Sequence, residues 1–190
     1  MATDKIEILS IEPLKEGKYI KPKLVTFRHN GVLRDWEVAD TFDSVAVLLY
    51  HESKDAFILV KQFRPAVYLK YKDGHTYELC AGLIDKDKSL KQIAKEEIYE
   101  ECGYEVELED IEEITSFNTA VGFAGGRQTL FFATVSEKQK KNEGGGIDDE
   151  QIEVIYLPLK DAREFMFDEK FIKTPGLLFG FMWFFDKFSR

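Results

Sequence analysis

The sequence predicts an α+β protein, in which helices pack on a mixed β-sheet and a separate antiparallel hairpin comes first. Short apolar segments of strand length recur along the chain between turn residues, whereas helical spacing of apolar residues occurs in only a few places. Apolar residues make up 44% of the 190-residue chain, which is enough for a substantial core. We therefore expect an N-terminal β region at residues 1–42 and one main domain at residues 43–190.

The N-terminal region is predicted to contain an edge strand and a hairpin. Three isoleucines in the segment 6–11 fit an edge strand. Strands at 23–28 and 32–38 flank Asn30 and Gly31, a pair that suits the tight turn of a hairpin because both residues accept a positive φ.

The main domain begins with two strands that we expect to be buried. Residues 45–50 and 56–62 are continuous apolar runs, and the segment between them has the composition of a turn. Residues 77–80 are predicted to be short and extended. In the segment 90–101 the apolar residues follow three- and four-residue steps, which predicts an amphipathic helix.

The second half of the main domain is predicted to add strands and then helices. The strands are expected at 113–118, 128–135 and 152–157, and the helices at 159–165 and 175–188. Residues 138–149 are polar and contain a run of three glycines, which predicts a mobile loop. Thr174 and Pro175 suit the cap and the first position of the last helix.

Composition excludes several classes of function. A net charge of −9 disfavours nucleic acid as a partner, because an acidic surface repels the phosphate backbone. Two cysteines do not form a disulfide framework, so reduced thiols and a cytoplasmic location are expected. We expect no signal peptide and no membrane span, since the most apolar stretch, 177–185, is too short to cross a bilayer. The three histidines fall in turn-like segments and are expected at the surface.

The most informative local pattern is an acidic helix. Glu97 and Glu101 are four residues apart and share a helix face, as do Glu96 and Glu100. Like charges at this spacing cost about 0.2–0.5 kcal/mol per pair. Glu97 and Glu101 also border the apolar stripe, where carboxylates are costly unless they are paired or bind a cation. The pattern therefore predicts either a divalent metal site or a solvated acidic helix, and the spacing alone does not decide between them.

The segment that contains this helix resembles the Nudix box, G-x5-E-x7-R-E-U-x-E-E-x-G-U, in which U is an apolar residue. The matching residues are Gly82, Glu97, Ile98, Glu100, Glu101, Gly103 and Tyr104. Two positions depart from the box, because Lys88 occupies the place of its first glutamate and Glu96 the place of its arginine. In the family that arginine helps to orient a glutamate ligand.

The resemblance continues outside the box. Residues 44–49, 59–68, 78–82 and 176–184 are similar to Nudix hydrolases of nucleoside diphosphate sugars and resemble in particular the animal UDP-glucose pyrophosphatases. It implies the Nudix α/β/α sandwich and hydrolysis of the substrate's pyrophosphate bond, with UDP-glucose giving UMP and glucose 1-phosphate. An ADP-ribose pyrophosphatase and a non-catalytic sugar-nucleotide-binding protein are the alternatives. Related ADP-ribose hydrolases carry a proline after the box, and the absence of one at 120–122 favours a UDP-sugar.

The resemblance also implies a metal site. Glu97 and Glu101 are the first candidates for Mg²⁺ ligands, with Mn²⁺ as a possible substitute. The backbone carbonyl of Ala81 is a further candidate ligand. Glu150, in the loop after the glycine run, is predicted to be a ligand or the general base. Glu100 is a further ligand and catalytic candidate, and Asp148 and Asp149 are alternatives to Glu150 in its catalytic role.

Four residues are predicted to contact the substrate. Arg64 matches an arginine of the family that contacts the pyrophosphate, and Glu78 is a candidate ligand or sugar contact. Trp36 lies in the N-terminal region, which in this family crosses to the partner subunit of a homodimer; it is predicted either to stack on the base or to be an ordinary half-buried tryptophan. Arg127 is predicted to contact a phosphate or to form an ion pair. No nucleic acid or membrane partner is expected.

Overall fold

The computed structural model describes residues 6–14, 17–147 and 150–189. The chain divides into two compact units. The first unit consists of Met1–Thr41 and Ala120–Gly125, and the second of Phe42–Thr119 and Gly126–Arg190. A segment from the middle of the chain thus belongs with the N-terminal unit.

The first unit contains the predicted hairpin. Strands β1 (Lys21–His29) and β2 (Val32–Asp40) pair antiparallel. Asn30 and Gly31 have φ values of 51° and 82°, so the turn uses the left-handed conformation that this residue pair favours. The edge strand expected at 6–11 is wrong: the described residues 6–14 form no strand and are exposed.

The returning segment of the first unit is bonded to β2. The Ala39 N–H donates to the Phe123 carbonyl at 2.7 Å, and the Trp36 indole N–H donates to the Gly122 carbonyl at 2.8 Å. These bonds fix Trp36 on the hairpin while its side chain stays 54% exposed.

The second unit contains eight strands and four helices among its described residues. The strands are β3 (Ser44–His51), β4 (Ala56–Phe63), β5 (His75–Glu78), β6 (Cys80–Leu83), β7 (Glu112–Asn118), β8 (Arg127–Val135), β9 (Ile152–Pro158) and β10 (Ile172–Lys173). The helices are α1 (Pro65–Tyr71), α2 (Leu90–Cys102), α3 (Leu159–Phe167) and α4 (Pro175–Lys187).

The strands of the second unit form one mixed sheet. Its order is β10-β5-β4-β3-β8-β7, with β6 paired to β3 and β9 paired to β4. The central pair β3–β8 is parallel, whereas β6 lies antiparallel to β3 and places Ala81 opposite Ala46. The Cα register thus brings β6, which precedes the acidic helix, to the middle of the sheet.

Helices cover both faces of this sheet, so the predicted α/β/α sandwich is confirmed. Alternate residues of β3 and β4 enter two separate cores, which explains why both strands are apolar throughout. One core packs against α2 through Ile93 and Ile98. The other packs against α3 and α4, where Phe57 stacks on Phe181 with ring centroids 4.2 Å apart. No helix among the described residues is both long and apolar enough to cross a membrane.

Four local predictions differ from the structure. Pro65 begins α1, a helix that the sequence did not indicate, and Pro suits its first position. The extended segment 77–80 is divided between β5 and β6. Thr174 precedes α4, but its side chain makes no capping hydrogen bond. His51 is completely buried rather than exposed, because its ring packs edge-on against two tyrosines beside the core.

Candidate active site

The acidic helix α2 has well-defined ends. Ser89 and Gln92 form a reciprocal capping box at its N-terminus, and Gly103 ends it with a φ of 79°. Between these ends, α2 buries Ile93 and Ile98 in the core. The same periodicity turns Glu97 and Glu101 towards β6 and leaves Glu101 only 5% exposed.

Glu101 is a buried carboxylate bound to the backbone of β6. Its Oε2 accepts a hydrogen bond from the Ala81 N–H at 2.9 Å. Burial raises the pKa of Glu101 to about 8; the neighbouring charge of Glu97 adds to this rise, and the bonds from Ala81 and the Cys80 side chain oppose it. When Glu101 is ionised, its charge is thus desolvated and lacks a full counter-charge among the described residues.

Glu97 lies directly over the backbone of Gly82. A Cβ placed on Gly82 would be 2.1 Å from Glu97 Oε1, so glycine is required for this approach. Burial raises the pKa of Glu97 to about 7, and the charges of Glu100 and Glu150 raise it further. Four predicted site residues therefore interact electrostatically and form what we call the acidic cluster: Glu97, Glu100, Glu101 and Glu150.

The cluster fits a hard divalent cation. Among the described residues, the ion pairs of this region go to Glu78 and Glu96 and leave Glu97 and Glu101 without one. The described side chains contain no group of three or more acidic, histidine or cysteine residues that could hold a metal unaided. A cation here would therefore complete its shell with backbone or substrate oxygens, an arrangement that Mg²⁺ prefers.

We expect the metal-free protein to lose stability as pH rises. The pKa values of Glu97 and Glu101 lie above the unfolded value of 4.5, so unfolding releases protons and the free energy of unfolding falls between about pH 4.5 and pH 8. We expect a fall of about 2–4 kcal/mol between pH 5 and pH 9 from these two groups. Urea unfolding in EDTA at several pH values measures this fall in the free energy of unfolding.

The controls for this pH dependence are Mg²⁺ and a neutral variant. Mg²⁺ binds the ionised carboxylates, so adding it should restore stability most strongly at high pH. Glu101→Gln should flatten the slope in EDTA. A slope identical in wild type and Glu101→Gln would contradict the assignment of the titrating group.

Replacing Gly82 should weaken metal binding without preventing folding. In Gly82→Ala the added Cβ displaces the flexible end of Glu97, so the fold can adapt while the carboxylate loses its position. We expect divalent-metal affinity to fall about 10-fold, measured by calorimetric titration. Gly180→Ala on α4 is the control, because its Cβ would meet no atom closer than 3.6 Å. Unchanged affinity in Gly82→Ala would contradict the site.

Arg64 and Glu78 form a forked ion pair at the edge of the cluster. Arg64 Nε and Nη2 donate to the two oxygens of Glu78 at 2.8 and 2.7 Å, and the Thr76 hydroxyl donates to Glu78 Oε1 at 2.5 Å. Burial favours a raised pKa for Glu78, but these bonds hold it below its ordinary value. The charges of Glu101 and Glu150 also act on Arg64 and raise its pKa. Glu78 therefore holds the guanidinium near the acidic cluster.

The glycine loop is bonded to the end of α2. The N–H groups of Gly145 and Gly146 donate to the carbonyls of Glu101 and Glu100 at 2.9 and 3.0 Å. Glu150 folds back over this loop, where its Oε2 accepts from the Ile147 N–H at 3.1 Å. These bonds explain why the charge of Glu150 reaches Glu97 and Glu101. Asp148 and its neighbour Asp149, the alternatives to Glu150, lie outside the described residues.

Two predicted substrate contacts take no part in these hydrogen bonds. Trp36 belongs to the first unit. Arg127 begins β8 in the second unit, with its backbone N–H donating to Asp43 Oδ1 at 2.8 Å and its side chain exposed. Within the described part of the chain, no hydrogen bond or ion pair joins the Arg127 side chain to the acidic cluster.

Sequence reasoning missed the docking of the glycine loop. The glycine run was interpreted only as a source of mobility, whereas all three residues have positive φ values, between 70° and 112°. Gly144 also packs so closely on the Glu101 carbonyl that a Cβ would be 2.2 Å from the oxygen. Three successive glycines before an acidic pair are the pattern that could have indicated a close backbone approach.

The chain is similar to several known proteins. A family model described as NUDIX domain matches residues 40–174. The chain is 37% identical to the uridine diphosphate glucose pyrophosphatase NUDT14 of Bos taurus over an alignment of 212 positions, gaps included, which covers 96% of each chain. It is 32% identical to the protein of that name from Mus musculus, over 97% of this chain and 96% of the relative. It is also 40% identical to a GDP-mannose pyrophosphatase of Cronobacter sakazakii over 84% of each chain.

Proposed function

We propose, since this chain belongs to the Nudix hydrolase family, that it hydrolyses the pyrophosphate bond of UDP-glucose with Mg²⁺ and yields UMP and glucose 1-phosphate. The observation that carries this proposal is a pair of carboxylates, the half-buried Glu97 and the buried Glu101, which lie over the backbone of Gly82 and Ala81 and form no ion pair among the described residues. Such a pair is stabilised by a divalent cation, and enzymes of this family generally use one.

Glu97 and Glu101 would hold the metal, together with the carbonyl of Ala81. Bound Mg²⁺ supplies Lewis-acid neutralisation of the charge on the pyrophosphate. Arg64 would bind a phosphate oxygen through its fork of donors, which Glu78 already holds in place. Glu78 thus acts as a positioning residue for Arg64.

Glu150 is the proposed general base. Its backbone lies on the loop that is bonded to α2, and its side-chain charge reaches both ligand candidates and Arg64. As a carboxylate it would accept a proton from the attacking water. Glu100, on α2, and Asp148, on the loop, are the alternative bases. Turning Glu150 from the Ile147 N–H towards the substrate would require a local rearrangement of the loop.

The nucleotide base is assigned by similarity and by residues outside the cluster. The mammalian relatives carry uridine diphosphate glucose in their names, and the bacterial ones carry GDP-mannose. Trp36 offers a half-exposed ring for stacking on a base, and Arg127 an exposed cation for a phosphate. ADP-ribose remains the alternative substrate. A cytoplasmic location is proposed from the two free cysteines.

A homodimer is proposed through one face of the hairpin. Val25 and Trp36 are directly paired across the strands, and with Phe27 and Val32 they make one face of the hairpin largely apolar and exposed, with Arg34 opposite Phe27. A two-stranded sheet with such a face is rarely stable alone, and a second copy of the chain would cover it. We expect Val25→Asp to sediment as a monomer, whereas Leu24→Asp, on the opposite face of β1, should remain dimeric. A monomeric wild type would contradict the proposal.

A substrate comparison tests the proposed reaction. With saturating Mg²⁺, we expect kcat/KM for UDP-glucose to exceed the values for ADP-ribose and GDP-mannose by about 10-fold or more, since an enzyme discriminates between substrates by how well it binds their transition states. A higher kcat/KM for ADP-ribose or GDP-mannose would change the assigned substrate but not the assigned type of reaction. Binding of UDP-glucose without release of UMP would overturn hydrolysis of this substrate.

A further inference from the structure

Both departures from the Nudix box reverse the charge of the family residue. The box has glutamate at the position of Lys88 and arginine at the position of Glu96. One reversal alone would place like charges at these two positions. Because both are reversed, the chain keeps one cation and one anion at the same spacing.

The two side chains meet in the structure. Lys88 Nζ donates a short hydrogen bond to Glu96 Oε1, and Lys86 Nζ lies 3.7 Å from Glu96 Oε2. The lysines belong to the loop between β6 and α2, whereas Glu96 belongs to α2. The ion pairs therefore tie the loop to the helix immediately beside Glu97.

Among the described residues, the other hydrogen bonds between this loop and its surroundings lie at the ends of the loop. At its start the Ile84 N–H donates to the Asp43 carbonyl at 2.9 Å, and at its end Ser89 caps α2. Within the loop the Lys88 N–H bonds the Lys86 carbonyl at 2.9 Å. The contacts with Glu96 are thus the side-chain link between the middle of the loop and the helix.

Lys86 also lies close enough to influence Glu97. Its charge lowers the pKa of Glu97, against the larger effect of burial. Lys95, the residue adjacent to Glu96, is directed elsewhere and pairs with Glu107 at 3.3 Å. The cation beside Glu97 therefore comes from the loop and not from the helix.

We propose that Lys88 and Glu96 are a charge-reversed positioning pair, which with Lys86 holds the Gly82 loop and Glu97 in the arrangement that binds the metal. This inference deepens the proposed function and rests on it. The proposed roles place the substrate at Arg64 and the metal at Glu97 and Glu101, so the effect of the pair would pass through Glu97. Each reversion to the family residue, Lys88→Glu or Glu96→Arg, should therefore impair the protein, and the two together should restore it.

The test is a charge-swap cycle with two readouts. We expect each single variant to lower kcat/KM for UDP-glucose about 5- to 10-fold and to raise the Kd for Mn²⁺ several-fold, as for residues that support metal ligands. The double variant Lys88→Glu/Glu96→Arg should return to within about 2-fold of wild type on both. Mn²⁺ binding is measured by electron paramagnetic resonance without substrate. Melting temperatures should change little, because the pair is partly exposed.

The matched control is the other ion pair of the same helix. Lys95→Glu and Glu107→Lys reverse a surface pair that points away from Glu97, and both should leave Mn²⁺ binding unchanged. Single variants at wild-type level, or equal losses in the singles and the double, would overturn the proposal. The proposal would also be overturned if the two single variants shifted the Kd in opposite directions and the shifts added in the double variant. That result would indicate only a long-range electrostatic effect of each charge on the metal. If wild type binds Mn²⁺ but hydrolyses no sugar nucleotide, the proposed function fails while the Mn²⁺ cycle still tests the pair.

Discussion

Glu101→Gln should reduce kcat by about 1,000-fold at saturating Mg²⁺, the order of loss expected when a principal electrostatic contact of a transition state is removed. Glutamine is isosteric and its amide oxygen can still accept the bond from the Ala81 N–H, which Glu101 Oε2 accepts at 2.9 Å. The variant therefore removes the charge and keeps the contact. Steady-state kinetics with UDP-glucose measure the loss, and activity near the wild-type level would contradict the assignment of Glu101 as a ligand.

The stability of Glu101→Gln separates loss of chemistry from loss of fold. Burial raises the pKa of Glu101 to about 8, so at pH 9 the metal-free wild type carries a buried charge that the variant lacks. We expect the variant to melt about 2–5 °C higher in EDTA at pH 9. Glu109→Gln, at an exposed position, should change neither activity nor melting temperature.

Arg64→Ala should lower kcat/KM about 100-fold, because the guanidinium fork is the proposed contact to the pyrophosphate. Arg64→Lys should recover only part of this loss, since an ammonium keeps the charge but not the fork. Arg64→Ala should also destabilise the protein by about 1–3 kcal/mol. This is less than the loss expected for a fully buried ion pair, because the Arg64 side chain is 46% exposed and solvent screens its charge. The loss arises because Glu78, 8% exposed, would be left with Thr76 alone.

The double variant Arg64→Ala/Glu78→Gln distinguishes these two effects. Removing the Glu78 charge should restore most of the stability, measured by urea unfolding, because the unpaired buried anion is gone. Activity should stay low, since the phosphate contact is still missing. Recovery of activity in the double variant would show that Arg64 serves only to neutralise Glu78.

The regular elements were predictable because each leaves a periodic pattern. The hairpin was predicted from Asn30 and Gly31, and the strand pair β3–β4 from two uninterrupted apolar runs that feed two cores. Helix α1 was not predicted, because its seven residues show no burial pattern and only Pro65 marks its start. His51 was assigned to the surface, since local composition does not reveal which side chains pack against distant tyrosines.

The site could be predicted only as a set of residues. Spacing placed Glu97 and Glu101 on one helix face, and the structure places them at Gly82 and Ala81. The partner of Arg64 was not predictable, because Glu78 is 14 residues away and is reached only through the pairing of β4 with β5. Long-range sheet pairing likewise leaves no local trace in the sequence.

Identification of the reaction products tests the proposed hydrolysis most directly. Phosphorus NMR of UDP-glucose incubated with the enzyme and Mg²⁺ in ¹⁸O-labelled water reports which bond is cleaved and where the label enters. We predict UMP and glucose 1-phosphate in equal amounts, with the label in one of the two phosphates and no reaction in EDTA. The formation of UDP and free glucose, or turnover at full rate in EDTA, would contradict the account.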